Sequence, residues 1–255
     1  MASKEKYNCR GESRYIPAEI RRSVRQNAFF GCAACGCPVI EYHHIVPFSE
    51  IQEHTAENIV ALCPTCHKRA DFHGQWGEDL VRIFKQNSHN QDETKDKFII
   101  LTPDFQVKMG WIGFRNCSEL IALRDERFLS CNRSPEGIIK ISGKFQDESG
   151  VVVAVVEDNE WRVDVNTVWD VEYIAARRLI VRTGPGNVVL RMEITDTELA
   201  IQQCFFRKDN LRLTLKGDER HTDLSIQASG PTFFRSRNER VVFQGPLNGP
   251  ALRLV

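Results

Sequence analysis

The sequence predicts an α+β protein in two parts, a Cys/His-rich N-terminal domain flanked by helices and a mostly-β C-terminal domain. Three observations lead there. Residues 31–75 hold five of the nine cysteines, together with paired histidines and prolines, and show little strand-like alternation. The stretch QNSHNQDETKD (86–96) has no apolar residue and reads as the boundary between the parts. Beyond it, β-branched and leucine-rich segments recur, some with a period of two. The domains are therefore expected at 1–90 and 98–255.

Residues 1–15 are polar and expected to be mobile. A helix is predicted from about Ile16, because Pro17 suits a first helical turn and Ile20, Val24 and Ala28 form an apolar stripe. Gly31 is read as its end. WGEDLVRIFKQN (76–87) predicts a second helix with Leu80, Ile83 and Phe84 on one side. Strands are predicted at FIIL (98–101), VVVAVVE (151–157), VVLRMEI (188–194) and LRLTLK (211–216). In the last, Leu211, Leu213 and Leu215 alternate with Arg212, Thr214 and Lys216. GPGN (184–187), KDN (208–210), KGD (216–218) and SGP (229–231) are turn signals. SELIALRDERFL (118–129) reads as a lone helix. The C-terminal architecture expected is a β-sandwich, with a β-solenoid as the alternative, since no fixed-length repeat aligns.

Charge and hydropathy exclude several functions. Thirty-four Lys and Arg balance 34 Asp and Glu, so no global polybasic character draws the chain to nucleic acid. The longest aliphatic run, VVVAVV (151–156), is too short to span a bilayer, and the first residues lack the apolar core of a signal peptide. A soluble, cytoplasmic protein with no membrane partner is expected.

CAAC (32–35) and CPTC (63–66) read as thiolate metal ligands rather than disulfides. Two such turns complete a tetrahedral set, so Cys32, Cys35, Cys63 and Cys66 are expected to hold a structural Zn²⁺ with no open position. Cys37 is the alternative to Cys35. Cys9, Cys117, Cys131 and Cys204 stand alone and read as small buried hydrophobes.

Between the cysteine pairs lies EYHHIVPFSE (41–50), with adjacent imidazoles, followed by Asn58 and by LCPTCH ending in His67. Neighbouring side chains on an extended segment point to opposite faces, so the two histidines need different partners. Over about residues 20–75 this pattern resembles the HNH endonuclease family, in the subgroup whose ββα-metal fold is braced by a four-cysteine zinc. The resemblance implies His43 and His67 as ligands of a catalytic Mg²⁺ or other divalent ion, His44 as general base, and Asn58 as the residue holding the loop through backbone hydrogen bonds. It also implies hydrolysis of a DNA phosphodiester to a 5′-phosphate and 3′-hydroxyl. Histidine suits the base, because its ordinary pKa of roughly 6.5 lies near working pH. The third metal ligand is Asp71, one helical turn beyond His67, or His73 if the helix has ended by then. His54, His89 and His221 read as ordinary surface residues.

A nuclease must hold a polyanion, expected to be double-stranded DNA. The phosphate-contacting candidates are Arg21, Arg22 and Arg25 on the first helix, preceded by Arg10 and Arg14, with Lys68 and Arg69 after His67. Nothing in 98–255 looks catalytic. Oligomerisation, target recognition or sensing of an activating ligand are the roles expected there, and TFFRSRNERVVF (232–243) fits either a nucleic-acid surface or a charged β-hairpin. A restriction or antiphage effector is the biological setting that analogy suggests. The rival reading is a zinc-ribbon-like module that binds DNA or protein without cutting it, distinguished by needing only the zinc.

Overall fold

The computed structural model describes residues 15–71, 75–88, 91–98, 100, 105–217, 222–228, 232–237 and 241–254. The chain divides into two compact units, one up to Thr94 and one from Lys95.

In the first unit, α1 (Ala18–Asn27) leads to a hairpin of β1 (Glu41–His44) and β2 (Ile59–Leu62), whose connection carries the short α2 (Phe48–Ile51). Then follow α3 (Pro64–Ala70) and α4 (Glu78–Gln86). Pro17 caps α1 instead of lying in its first turn. The expected stripe is real: Val24 and Ala28 are buried against Ile59 and Ala61, and Ile20 packs beside them. The chain leaves α1 through Phe29 (φ 52°) and Phe30 (φ 60°), before Gly31. Left-handed backbone costs a bulky residue roughly 1–2 kcal/mol. Here it is pinned by Phe29 N–H to Gln26 O (3.1 Å) and Phe30 N–H to Arg25 O (2.8 Å). Gly31 itself is needed for a close approach, since a Cβ there would meet the Gly36 carbonyl oxygen at 2.6 Å. On α4 the buried residue is Val81, with Phe84 partly covered by Trp76, while Leu80 and Ile83 are exposed. The packed face is thus turned from the expected Leu80–Ile83–Phe84 side.

The boundary between the units falls within β3 (Glu93–Lys97), which lies inside the polar stretch expected to be linker. This strand ends the sheet path beside β9. An edge strand tolerates charge, because charged residues there discourage pairing with other chains. This explains why apolar patterning placed the strand at 98–101 instead; there Phe98 and Ile100 are buried but not in a strand, and residues 99 and 101 lie outside the described residues.

The strands continue as β4 (Gln106–Met109), β5 (Ile112–Leu123), β6 (Glu126–Arg133), β7 (Ile139–Gln146), β8 (Val152–Glu157), β9 (Glu160–Asp164) and β10 (Asp170–Ile174). After them come β11 (Arg178–Gly184), β12 (Asn187–Ile194), β13 (Glu198–Lys208), β14 (Leu211–Gly217), β15 (Thr222–Ala228), β16 (Thr232–Arg237) and β17 (Val241–Leu254). Among the described residues they join into one curled, largely antiparallel sheet of fifteen strands, in which β13–β4 and β17–β5 pair in parallel. The expected mostly-β remainder is present, but as one sheet in place of the two of a sandwich or the rungs of a solenoid. The long β13 makes this possible: its first half pairs with β12 and β4, its second with β14, and Phe205 reaches Gln146 of β7. Phe128, Phe145, Phe206 and Trp161 are fully buried in its core.

The predicted helix at 118–129 is instead the β5–β6 hairpin, turning at Arg124 (φ 56°). Leu120, Ile121, Ala122 and Leu123 are each at most 1% exposed, so the strand is covered on both faces, and register shifts around Ile121 remove the period of two. GPGN and KDN do turn the chain between β11 and β12 and between β13 and β14. KGD in part and SGP entirely fall outside the described residues, as do Cys9, Arg10, Arg14, His73, His89 and His221. Among the described residues no helix is long and apolar enough to cross a membrane.

Candidate active site

The β1–β2 register pairs Glu41 with Leu62, Tyr42 with Ala61, His43 with Val60 and His44 with Ile59. Directly opposed residues share a face, and successive residues alternate. Val60 and Leu62 pack with the cysteines, Ala70 and Val81, whereas Ile59 and Ala61 pack with α1. Glu41 and His43 therefore face α3, and Tyr42 and His44 face the other way. The two imidazoles serve separate surroundings because the strand between them is extended.

On the α3 side, His43, His67 and Asp71 bring one donor atom each within 4.8 Å of one another. The His43 and His67 rings meet edge-on at 4.9 Å, and His67 Nε2 lies 3.6 Å from Asp71 Oδ1. Asp71 closes α3 as its C-terminal cap, so the helix ends one turn after His67. His67 Nδ1 contacts Glu41 Oε2 at 2.5 Å. A carboxylate on one ring nitrogen turns the other towards a metal and raises its basicity. Burial first, then the charge of His67, brings the His43 pKa down to about 4, against an upward pull from Asp71. His43 is thus a neutral imidazole at pH 7, the form that donates to metals. Three donors of two kinds, with Asp71 exposed, fit a divalent ion that keeps positions for water and substrate.

On the other face, His44 Nε2 lies 3.0 Å from His54 Nδ1. His54 is stacked on Phe48 at 4.6 Å and 11°, and His44 is 5.4 Å from the same ring. Burial, then the charge of His54, holds the His44 pKa below its ordinary value. His54 is therefore no ordinary surface histidine, and sequence reasoning missed it. Its only signal was position, within the loop that returns to Asn58.

Asn58 is 8% exposed and holds that loop. Its Oδ1 accepts from Val46 N–H and its Nδ2 donates to Val46 O, both at 2.9 Å. Ile45 N–H donates to Asn58 O at 2.8 Å. From α4, Lys85 donates to the carbonyls of Ala56 and Ile59. The residues after His44 are thereby tied to the start of β2.

Cys32, Cys35, Cys63 and Cys66 converge, with Cys35 Sγ 3.7 Å from Cys63 Sγ and 3.8 Å from Cys66 Sγ. Thiolates at about 2.3 Å from a tetrahedral zinc stand about 3.8 Å apart, so the cluster has the dimensions of an occupied site. Cys37 points to Val39 O, and its own carbonyl accepts from Cys32 N–H to close the first turn. Ala33 N–H bonds Ala61 O at 2.9 Å, which docks that turn on β2, directly before the second turn. Burial first, then the charge of Cys32, pushes the Cys35 thiol up to about 11, and burial also raises Cys66. Against the upward push of burial, Cys66 N–H and the neighbouring thiols bring Cys63 below its ordinary value. Four packed sulfurs ionise together only around a cation.

Among the expected phosphate contacts, Arg25 is a correction: it is 6% exposed and donates to Tyr42 Oη at 2.6 Å, bracing α1 on the sheet. Arg21 is half-buried, donates to Tyr15 Oη and lies 4.7 Å above its ring. Arg22 is half-buried, Lys68 is exposed, and exposed Arg69 lies 5.7 Å above the Trp76 ring.

Comparison with known proteins falls on this unit. Residues 32–71 match the family described as HNH endonuclease. The Type IV methyl-directed restriction enzyme EcoKMcrA of Escherichia coli (strain K12) is 43% identical over 52 residues, covering 20% of this chain and 18% of that enzyme. The chain thus spans less than a fifth of the relative it matches. No solved structure matches it. The N-terminal unit therefore carries an HNH endonuclease domain.

Proposed function

We propose that the protein is a metal-dependent endonuclease that hydrolyses phosphodiesters of double-stranded DNA, with His44 as general base. The observation that carries this reading is the division of the histidine doublet between two faces of β1, with His43 among His67 and Asp71 and His44 beside His54. A module that only binds has no use for a neutral imidazole on each side of one strand.

A divalent ion held by His43, His67 and Asp71 supplies, when bound, neutralisation of negative charge on the reacting phosphate. Mg²⁺ or a similar ion suits that set, and Zn²⁺ suits the four thiolates. His44 removes a proton from water as the water oxygen bonds to phosphorus. The bond to the 3′ oxygen breaks, that oxygen takes a proton from solvent, and the products are a 5′-phosphate and a 3′-hydroxyl.

The hydrogen bond to His54 decides which nitrogen of His44 acts. If His54 Nδ1 accepts, His44 carries its proton on Nε2 and its Nδ1 lone pair is free for water. If His54 donated, the only lone pair of His44 would be occupied. The base therefore works from Nδ1, with His54 as its positioning residue. Lys68 and Arg69, both exposed, are the candidate phosphate contacts, with half-buried Arg22 a further one. The β unit fits target recognition, ligand sensing or oligomerisation, and the likeness to a restriction enzyme suggests a restriction or antiphage role.

The test is plasmid cleavage by wild type and by His44→Ala, each shown by metal analysis to retain the tightly held zinc. The expected result is nicking or linearisation that needs an added divalent ion and is lost in the variant. Equal cleavage by both proteins, or none by wild type in Mg²⁺, Mn²⁺ or Zn²⁺, would refute it.

A further inference from the structure

A cavity of about 550 Å³ opens in the first unit where the end of α1 meets α4. Gln26, Asn27, Phe29, Glu57, Arg82 and Gln86 are on its wall. Ile45, which directly follows the proposed base, and Glu57, which directly precedes Asn58, place it beside the site. Nothing in the proposed chemistry uses it.

Its aromatic wall is the strained residue Phe29. Phe29 and Phe30 are both in the left-handed region, where bulky side chains rarely go. The conformation is held from outside, since Gln91 Nε2 donates to Phe29 O and Thr94 Oγ1 to Phe30 O, each at 3.4 Å. Burial offsets the strain at Phe30, which is 6% exposed, but Phe29 is only half-buried. Strain that burial does not offset is characteristic of a functional surface.

The remaining wall is chemically mixed. Three amides, one carboxylate, one guanidinium and the Lys85 ammonium, which is already engaged by the Ala56 and Ile59 carbonyls, provide donors and acceptors together, unlike the single sign of a phosphate site. An aromatic face with an amide edge matches a nucleobase, which stacks on the first and is read in-plane by the second. The volume lies in the range of ordinary ligand pockets, roughly 300–1,000 Å³.

The geometry points to a nucleobase subsite at this cavity, taking one base of the DNA flanking the bond cut at His44, stacked on Phe29 and read by Gln26, Asn27 and Gln86. The inference rests on the nuclease reading for its substrate, and its test separates the two. Full-length His44→Ala is mixed with short duplexes carrying 2-aminopurine at successive positions. Emission is expected to change about twofold or more on binding, and the change to be lost on adding Phe29→Leu or Gln86→Ala. Gln86 is on the exposed side of α4, so its truncation keeps the fold if Phe29→Leu does not. In wild type, the same two substitutions flatten the base preference next to the cut, read by sequencing the ends. An emission change that survives both substitutions, no responding position, or no DNA binding would overturn the subsite. Binding with the emission change but no cleavage by wild type would overturn the nuclease reading and leave the subsite standing.

Discussion

Replacing Asn58 by alanine removes both side-chain hydrogen bonds to Val46, each 2.9 Å long. The site is 8% exposed, so water reaches the stranded N–H and carbonyl only partly. Leaving a buried polar group unpaired costs about 1–3 kcal/mol, and partial solvation puts the two together at about 2–4 kcal/mol. For a unit of this size that is a fall in melting midpoint on the order of 10–20 °C, read by calorimetry on the zinc-loaded protein. Asn58→Asp isolates one bond: its carboxylate still accepts from Val46 N–H but repels Val46 O, so it is expected to be at least as damaging near neutral pH. In the same preparations, below their melting transitions, cleavage should fall by on the order of 100-fold, because the segment after His44 no longer holds the base in place. A midpoint for Asn58→Ala within about 2 °C of wild type, or full cleavage with Val46 released, would refute the reasoning.

Four further outcomes are expected. His54→Phe keeps the stacking on Phe48 but loses the hydrogen bond to His44, and should lower kcat by about 10–100-fold with KM little changed, while His54→Asn, which keeps an acceptor near the Nδ1 position, recovers part of the loss. Glu41→Gln weakens the carboxylate partner of His67 and should raise the divalent-ion concentration for half-maximal cleavage by about 10–100-fold, measured by metal titration. Stripping the cysteine-bound metal with a strong chelator should unfold the first unit and leave the strand signal of the second in circular dichroism; an unchanged melting profile would count against a structural ion. The folded His43 titrates near 4 against an ordinary 6.5, so the unfolded chain binds the extra proton between those values, and stability is full above 6.5 and declines as pH falls towards 4. Melting midpoints across that window should slope upward with pH, and His43→Asn should flatten the slope.

Much of the site was legible because its chemistry is local in sequence. The CxxC pairs constrain metal geometry by spacing, and adjacent histidines on an extended segment must face opposite ways, whatever surrounds them. Asp71 was placed by helical periodicity and does lie beside His67, while His73, its alternative, lies outside the described residues. Spacing favoured Cys35 over Cys37, and it is Cys35 that lies with the other three sulfurs while the Cys37 carbonyl closes the turn. His54, Glu41 and the burial of Arg25 were not legible, because each depends on a partner brought close only when loop, strand and helix pack. The β unit shows the same limit in its fold. Period-two runs such as LRLTLK identify strands with one solvated face, but the doubly covered β5 and the charged edge strand β3 carry no such pattern. By itself, then, the sequence determined two parts of α+β character, the convergence of the paired cysteines and the division of the histidine doublet between two faces, since these follow from covalent spacing and side-chain alternation. Only the tertiary structure decided that His54 packs against His44 and that the strands of the second unit join into a single curled sheet, because those follow from contacts between residues far apart in the chain.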